Sequence, residues 1–163
     1  MQKSPTPGPS REALDRQEMR EVASKIMQEN PTPILVVAAA LRNSSGSLCL
    51  QRRPEEKNHG GLWEFPGGKV EPGESPAAGL CRELAEELGI LVHQADLAPC
   101  GFAAEPGIVI LLYACSRWRG EPLALEGGAV GWFAPDQLTA QPMPPLDYPL
   151  ARQVQGLVAA GLI

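Results

Sequence analysis

The sequence predicts an α/β fold, in which short apolar strands surround one amphipathic helix and a second helix closes the chain. Three observations lead there. Ile34–Leu41 is an unbroken apolar run of strand length, Ser75–Gly89 carries apolar residues at helical spacing between capping signals, and several further strand-like segments follow it.

In chain order, Met1–Ser10 is rich in Pro, Ser and Gly and is expected to be disordered. Arg11–Glu29 is charged, with Met19, Val22, Ala23, Ile26 and Met27 on one helical stripe. That stripe is expected to dock on the rest of the chain, a protein partner being the other reading. Residues 1–31 are therefore read as an extension and 32–163 as the domain, with Pro31 and Pro33 at the boundary. Ile34–Leu41 is a buried strand, Asn43–Gly46 a turn, and Leu48–Arg53 an alternating return strand. Leu62–Phe65 reads as a short strand feeding a Gly67-Gly68 turn. Leu97–Ala103, Ile108–Ser116 and Val130–Phe133 are further strands, and Pro149–Leu162 is the closing helix.

Composition narrows the function. A chain of 163 residues with 44% hydrophobic content is one domain with a real core. A net charge of −5 argues against duplex nucleic acid, whose phosphates call for basic patches, but leaves room for a free nucleotide neutralised by metal. Cys49, Cys81, Cys100 and Cys115 have no metal-like spacing and read as reduced thiols of a cytoplasmic protein. No membrane span or signal sequence is visible, and Glu12, Asp15, Glu18 and Glu21 argue against a transit peptide.

The central helix carries the chemistry. Ser75 is a capping residue, Pro76 suits the first turn, and Gly89 suits a left-handed stop. Ala77, Leu80, Cys81, Leu84 and Leu88 form the core face. Glu83, Glu86 and Glu87 share another face, where like charges repel unless a hard cation such as Mg²⁺ takes their oxygens. A solvated acidic face is the bland alternative, but it leaves Gly68, Glu74 and Arg82 unexplained. Arg82 precedes Glu86 by four residues and can pair with it.

Gly68, Glu74, Arg82-Glu83, Glu86-Glu87 and Gly89 with Ile90 match the Nudix box without departure, so the chain resembles the Nudix hydrolases. The resemblance implies the Nudix α/β/α sandwich with a mixed sheet and a catalytic loop-helix-loop. It also implies Mg²⁺, or Mn²⁺, held by the Gly67 carbonyl and by Glu83, Glu86 and Glu87. Glu126, in Leu125-Glu126-Gly127-Gly128, falls where MutT-like enzymes place a further ligand or catalytic carboxylate. Water attack on phosphorus would use Glu83 or Glu126 as general base, with Glu74 and Arg82 orienting the helix.

The segment Gly61–Glu71, together with Arg52-Arg53 and Pro144–Pro149, resembles the MutT branch. That branch implies hydrolysis of oxidised or modified (d)NTPs such as 8-oxo-dGTP to NMP and pyrophosphate, in nucleotide-pool sanitation and mutation avoidance. Arg53, Phe65, Lys69 and Asp147 are the substrate-binding candidates. Arg53 is otherwise a strand-end surface residue. Asp147 stands where the MutT type has asparagine; ionised aspartate only accepts hydrogen bonds and favours an exocyclic amino group or the N–H edge of guanine. Its other reading is a helix N-terminal residue favoured by the dipole. Trp63 and Trp132 are stacking candidates, Trp132 being read as core, and His59 is read as a surface residue. A CTP or modified-pyrimidine pyrophosphohydrolase and an ADP-ribose or dinucleotide enzyme, the latter on Pro106, are the rival readings. A non-catalytic nucleotide sensor is the distant one, disfavoured because every box carboxylate is present.

Overall fold

The computed structural model describes residues 11–29 and 32–163, so the disorder expected at Met1–Ser10 lies outside the described residues. The chain divides into two compact units between Thr32 and Pro33. In the first, Arg11–Glu29 forms α1, on which Met19, Val22, Ile26 and Met27 are exposed.

The second unit runs β1 (Ile34–Leu41), β2 (Leu48–Arg52), β3 (Trp63–Glu64), β4 (Gly67–Lys69), α2 (Pro76–Leu88), β5 (Ala98–Glu105), β6 (Ile108–Cys115), β7 (Ala129–Phe133) and α3 (Asp147–Ala159). A mixed sheet has the order β4-β1-β6-β5, with β1 and β6 parallel and the outer pairs antiparallel. A second, antiparallel sheet has the order β3-β2-β7.

The unbroken apolar run of β1 follows from burial on both faces. Val37, Ala39 and Leu41 belong to one core with Leu80, Leu84 and Leu88 of α2. Ala38 and Ala40 belong to the other, with Leu150, Ala151 and Val154 of α3. Each leucine so buried contributes about 1.5–3 kcal/mol. The two helices thus cover opposite faces, which is the sandwich.

Several local expectations change. β2 is not the hairpin partner of β1: one bridge, Arg42 to Leu48, joins them before β2 enters the second sheet. Nor does β2 alternate buried with exposed positions: Leu48 and Leu50 enter the α3 core and Cys49, on the opposite face, enters the α2 core. Gly67-Gly68 is not a turn but part of β4, paired with Val37 and Ala38. Two glycines argue against a strand by propensity; here they permit close approach instead. α3 starts at Asp147, so Pro149 sits in its first turn, where a missing N–H costs nothing. Trp132 is not core: it is 38% exposed on the edge strand β7 and stacks on Trp118, with centroids 6.0 Å apart. All four cysteines are free. Among the described residues no helix is long and apolar enough to cross a membrane.

Gly67 has φ +151°, and a Cβ there would lie 2.0 Å from the Val37 carbonyl oxygen. Gly67→Ala should therefore destabilise the domain by roughly 3 kcal/mol or more, read as a lower urea midpoint. Gly156→Ala, on α3 with open space around it, should instead stabilise it by about 1 kcal/mol. Equal midpoints for the two variants would contradict this account of β4.

Candidate active site

Helix α2 is the platform, and its ends are well fixed. Ser75 Oγ accepts the Ala78 N–H at 3.2 Å, and Gly89 stops the helix at φ +66°. The face opposite the core presents Arg82, Glu83, Glu86 and Glu87 along roughly one turn and a half.

Arg82 gathers more partners than the helical spacing suggests. Its Nε and Nη2 donate to the two oxygens of Glu74 at 3.3 and 2.7 Å, a two-point contact. Nη1 donates to Glu83 Oε1 at 2.9 Å and Glu86 Oε2 at 3.0 Å, while Nη2 also reaches the Lys69 carbonyl at 3.0 Å. Glu74 Oε1 further accepts the Glu71 N–H at 2.7 Å. The Arg82 guanidinium, then that backbone bond, hold the Glu74 carboxyl below the usual carboxylate range. Gly79 makes room, since a Cβ there would lie 2.8 Å from Glu74 Oε1.

Two glycines of β4 seat the other carboxylates. A Cβ on Gly68 would lie 2.3 Å from the Glu83 carboxyl carbon, so Glu83 rests directly on that backbone. Gly67 pairs with Ala38 between the hydrogen-bonded positions of the ladder, so its N–H and carbonyl both face away from β1. The N–H donates to Glu87 Oε2 at 3.1 Å. Gln51, on β2, donates to the same oxygen at 2.8 Å. Burial pushes the Glu87 carboxyl up to about 7; these two donors oppose the rise, and the Glu64 and Glu83 charges add to it.

Glu126 is brought in by a tether. The last carbonyls of a helix lack internal donors, and here Leu88 and Glu87 receive the N–H groups of Leu123 and Leu125 at 3.1 and 2.9 Å. Gly128 N–H then binds the Arg52 carbonyl at 3.0 Å. Glu126 is thereby held between the end of α2 and the end of β2.

A cleft of about 670 Å³ joins these groups. Its lining includes Gly67, Lys69, Glu83, Glu87 and Glu126 of the cation candidates and phosphate candidate, and Arg53, Phe65 and Asp147 of the substrate candidates. Glu74, Arg82 and Glu86 are not part of the lining; Glu74 and Glu86 are partners of Arg82. Exposed His59 borders the cleft, whereas Trp63 and Trp132 do not. The Trp63 ring packs edge-on against Phe133, with centroids 5.1 Å apart.

At the far end, the Phe65 ring is buried in the α3 core, and its N–H donates to Asp147 Oδ1 at 2.9 Å. Asp147 is 5% exposed. Burial pushes its carboxyl up to about 7; the Phe65 N–H opposes this, Glu64 adds to it, and Arg53 opposes it. Arg53 Nε donates to the Asn58 carbonyl at 2.8 Å and its Nη1 pairs with Glu64 Oε2. Burial likewise raises Glu64 above the carboxylate range, with Arg53 and Gln51 as the opposing donors. Gln51 and Glu64 are cleft residues that the sequence reading does not single out. The available signal is a polar Gln51 ending the apolar run Leu48-Cys49-Leu50.

The donor set is all oxygen and carries negative charge, which fits a hard divalent cation. Among the described residues, no three His, Cys, Asp or Glu side chains are already gathered to hold a metal ion. Glu83 and Glu86 share Arg82 Nη1 instead.

A family model for the NUDIX domain matches residues 32–154. The chain is 36% identical over 129 residues to the CTP pyrophosphohydrolase of Escherichia coli K12, covering 78% of this chain and 96% of that protein. It is 36% identical over 123 residues to the 8-oxo-dGTP diphosphatase of Haemophilus influenzae, covering 74% and 90% respectively. Among solved structures it is similar to a MutT NUDIX hydrolase from Burkholderia pseudomallei, with TM-score 0.68 and 30% identity over 76% of this chain and 98% of that one.

The raised Asp147 carboxyl makes stability depend on pH. Between the ordinary 3.8 and about 7, the folded protein keeps a proton that the unfolded chain has lost. The group's contribution is therefore most favourable below about pH 4 and falls as pH rises through 7. Asp147→Asn keeps an oxygen for the Phe65 N–H and never ionises. Urea denaturation should find it more stable than the parent by on the order of a few kcal/mol at pH 8, with the gap shrinking markedly by pH 5. A gap independent of pH would contradict burial as the cause.

Proposed function

Because the chain belongs to the Nudix family of hydrolases, we propose that it is a MutT-like pyrophosphohydrolase that splits nucleoside triphosphates into NMP and pyrophosphate. Its preferred substrates in this reading are oxidised or modified (d)NTPs such as 8-oxo-dGTP, and its role is to keep them out of DNA. The observation that carries the reading is that one cleft is lined both by the box carboxylates Glu83 and Glu87 and by Arg53 and buried Asp147. Relatives named for 8-oxo-dGTP hydrolysis support it.

The cleft walls hold Glu64, Glu83, Glu87, Glu126 and Asp147, so a triphosphate needs a counter-charge to enter. Mg²⁺, with Mn²⁺ as substitute, would be held by Glu83, Glu86, Glu87, Glu126 and the Gly67 carbonyl. When bound it supplies charge neutralisation along the phosphates and makes water a better nucleophile. Glu83 or Glu126 takes the proton from the attacking water. Arg82 and Glu74 keep Glu83 in place, and Lys69 faces the phosphate chain. Arg53 lies beside the nucleotide, and the Phe65 backbone holds Asp147 by one oxygen, leaving the other for the base. The substrate is a free nucleotide, and the cytoplasm, where free thiols persist, is the compartment that suits it.

A second reading, CTP or a modified pyrimidine as substrate, is favoured by Asp147 in its ionised form, above about pH 7, because a carboxylate accepts from the cytosine amino group. A relative named for CTP also supports it.

Purified protein should release pyrophosphate and NMP from one or more triphosphates among 8-oxo-dGTP, CTP and other (d)NTPs, compared with ADP-ribose and dinucleotides, with Mg²⁺ and not without it. Release from none of them, or faster turnover of ADP-ribose than of every triphosphate, would overturn the proposal. Glu83→Gln should lower kcat by about 10²–10⁴ with the fold intact. Asp147→Asn should shift the ranking toward bases that present a carbonyl beside an N–H. An unchanged ranking makes Asp147 a residue of the fold and not a reader.

A further inference from the structure

Gln51 stands out among the buried residues of β2. It is 4% exposed, and the strand around it is Leu48, Cys49 and Leu50. Burying an amide is costly unless its hydrogens are used. Here Nε2 donates to Glu87 Oε2 at 2.8 Å and lies 3.4 Å from Glu64 Oε1, so both hydrogens have carboxylate acceptors. Carboxylates only accept, which fixes the amide with its nitrogen toward them.

We propose that Gln51 is a positioning residue that, with the Gly67 N–H, occupies Glu87 Oε2 and so leaves Oε1 as the oxygen offered to a divalent cation. Glu87 Oε2 receives two donors, Gln51 and Gly67, and no hydrogen bond to Oε1 is seen. Among the described residues no buried side-chain oxygen is without a partner, so Oε1 is not buried, and Glu87 is one of the residues that line the cleft. An aliphatic side chain at 51 would fill the same buried space but leave Glu87 free to turn. The same amide connects Glu87 to Glu64, and Glu64 to Arg53, tying the cation end of the cleft to its nucleotide end. Hydrogen bonds that orient ligating carboxylates are worth about 10–100-fold in metal affinity.

The inference rests on the reading of Glu87 as a cation ligand, and the test separates the two. The full chain, Gln51→Met and Glu87→Gln are each titrated with Mn²⁺, free ion being followed by EPR, alongside urea denaturation without metal. Gln51→Met should bind Mn²⁺ about 10–100-fold more weakly. Saturating Mn²⁺ should then return kcat toward the parent value with KM for the nucleotide little changed. Gln51→Asn, which withdraws the amide by one methylene, gives the same reading should Gln51→Met fail to fold. Unchanged Mn²⁺ affinity in the Gln51 variants, while Glu87→Gln loses it, overturns the positioning role alone. Unchanged affinity in Glu87→Gln overturns the ligand reading and the inference with it. A lowered urea midpoint with unchanged Mn²⁺ affinity would make Gln51 a structural residue only.

Discussion

The Arg82 guanidinium makes its hydrogen bonds to Glu74, Glu83, Glu86 and the Lys69 carbonyl, joining α2 to β4 and to the loop between them. Carboxylates crowded on one helix face would otherwise repel one another and turn outward to water. With one planar cation between them they stay together, and Glu83 keeps its place on the cleft wall, a geometry that lysine's single charged point does not reproduce. The glycines follow from the same constraint: Gly79 leaves room for Glu74, and Gly68 leaves room for Glu83.

Seen this way, the box is a set of steric and electrostatic requirements with a shared origin. Gly89 ends the helix, and the carbonyls freed there accept the N–H groups of Leu123 and Leu125, which sets Glu126 in the cleft lining. Gly67 gives Glu87 an N–H from a strand edge, and Gln51 gives it a second donor from the other sheet. The catalytic end of the cleft is thus assembled from both sheets and one helix, while its far end depends on the Phe65 backbone and Asp147 at the start of α3.

Much of this is legible in the sequence where a local rule decides. Ser75, Pro76 and Gly89 mark α2 because caps act within a turn, and the Ile34–Leu41 run marks a strand buried on both faces. Non-local facts are not legible. β2 leaves β1 for another sheet, and β4 uses two glycines in a strand, because packing outweighs propensity. Trp132 looks like core by composition but lies on an edge strand. Gln51 and Glu64 escape notice because their partners, Glu87 and Arg53, are set by the fold; Gln51 and Glu87 are far apart in sequence. The box explains how the cleft is charged, while Arg53, Phe65 and Asp147, which also line it, lie outside the box.

In the proposed function a divalent cation sits in the cleft between Gly67, Glu83 and Glu87. Paramagnetic broadening of backbone amide signals by substoichiometric Mn²⁺ tests it most directly. Gly67, Gly68, Glu87 and Glu126 should broaden first, while residues of α3 beyond Gln153 keep their line widths. Broadening centred elsewhere, or spread evenly over the acidic surface, would contradict it.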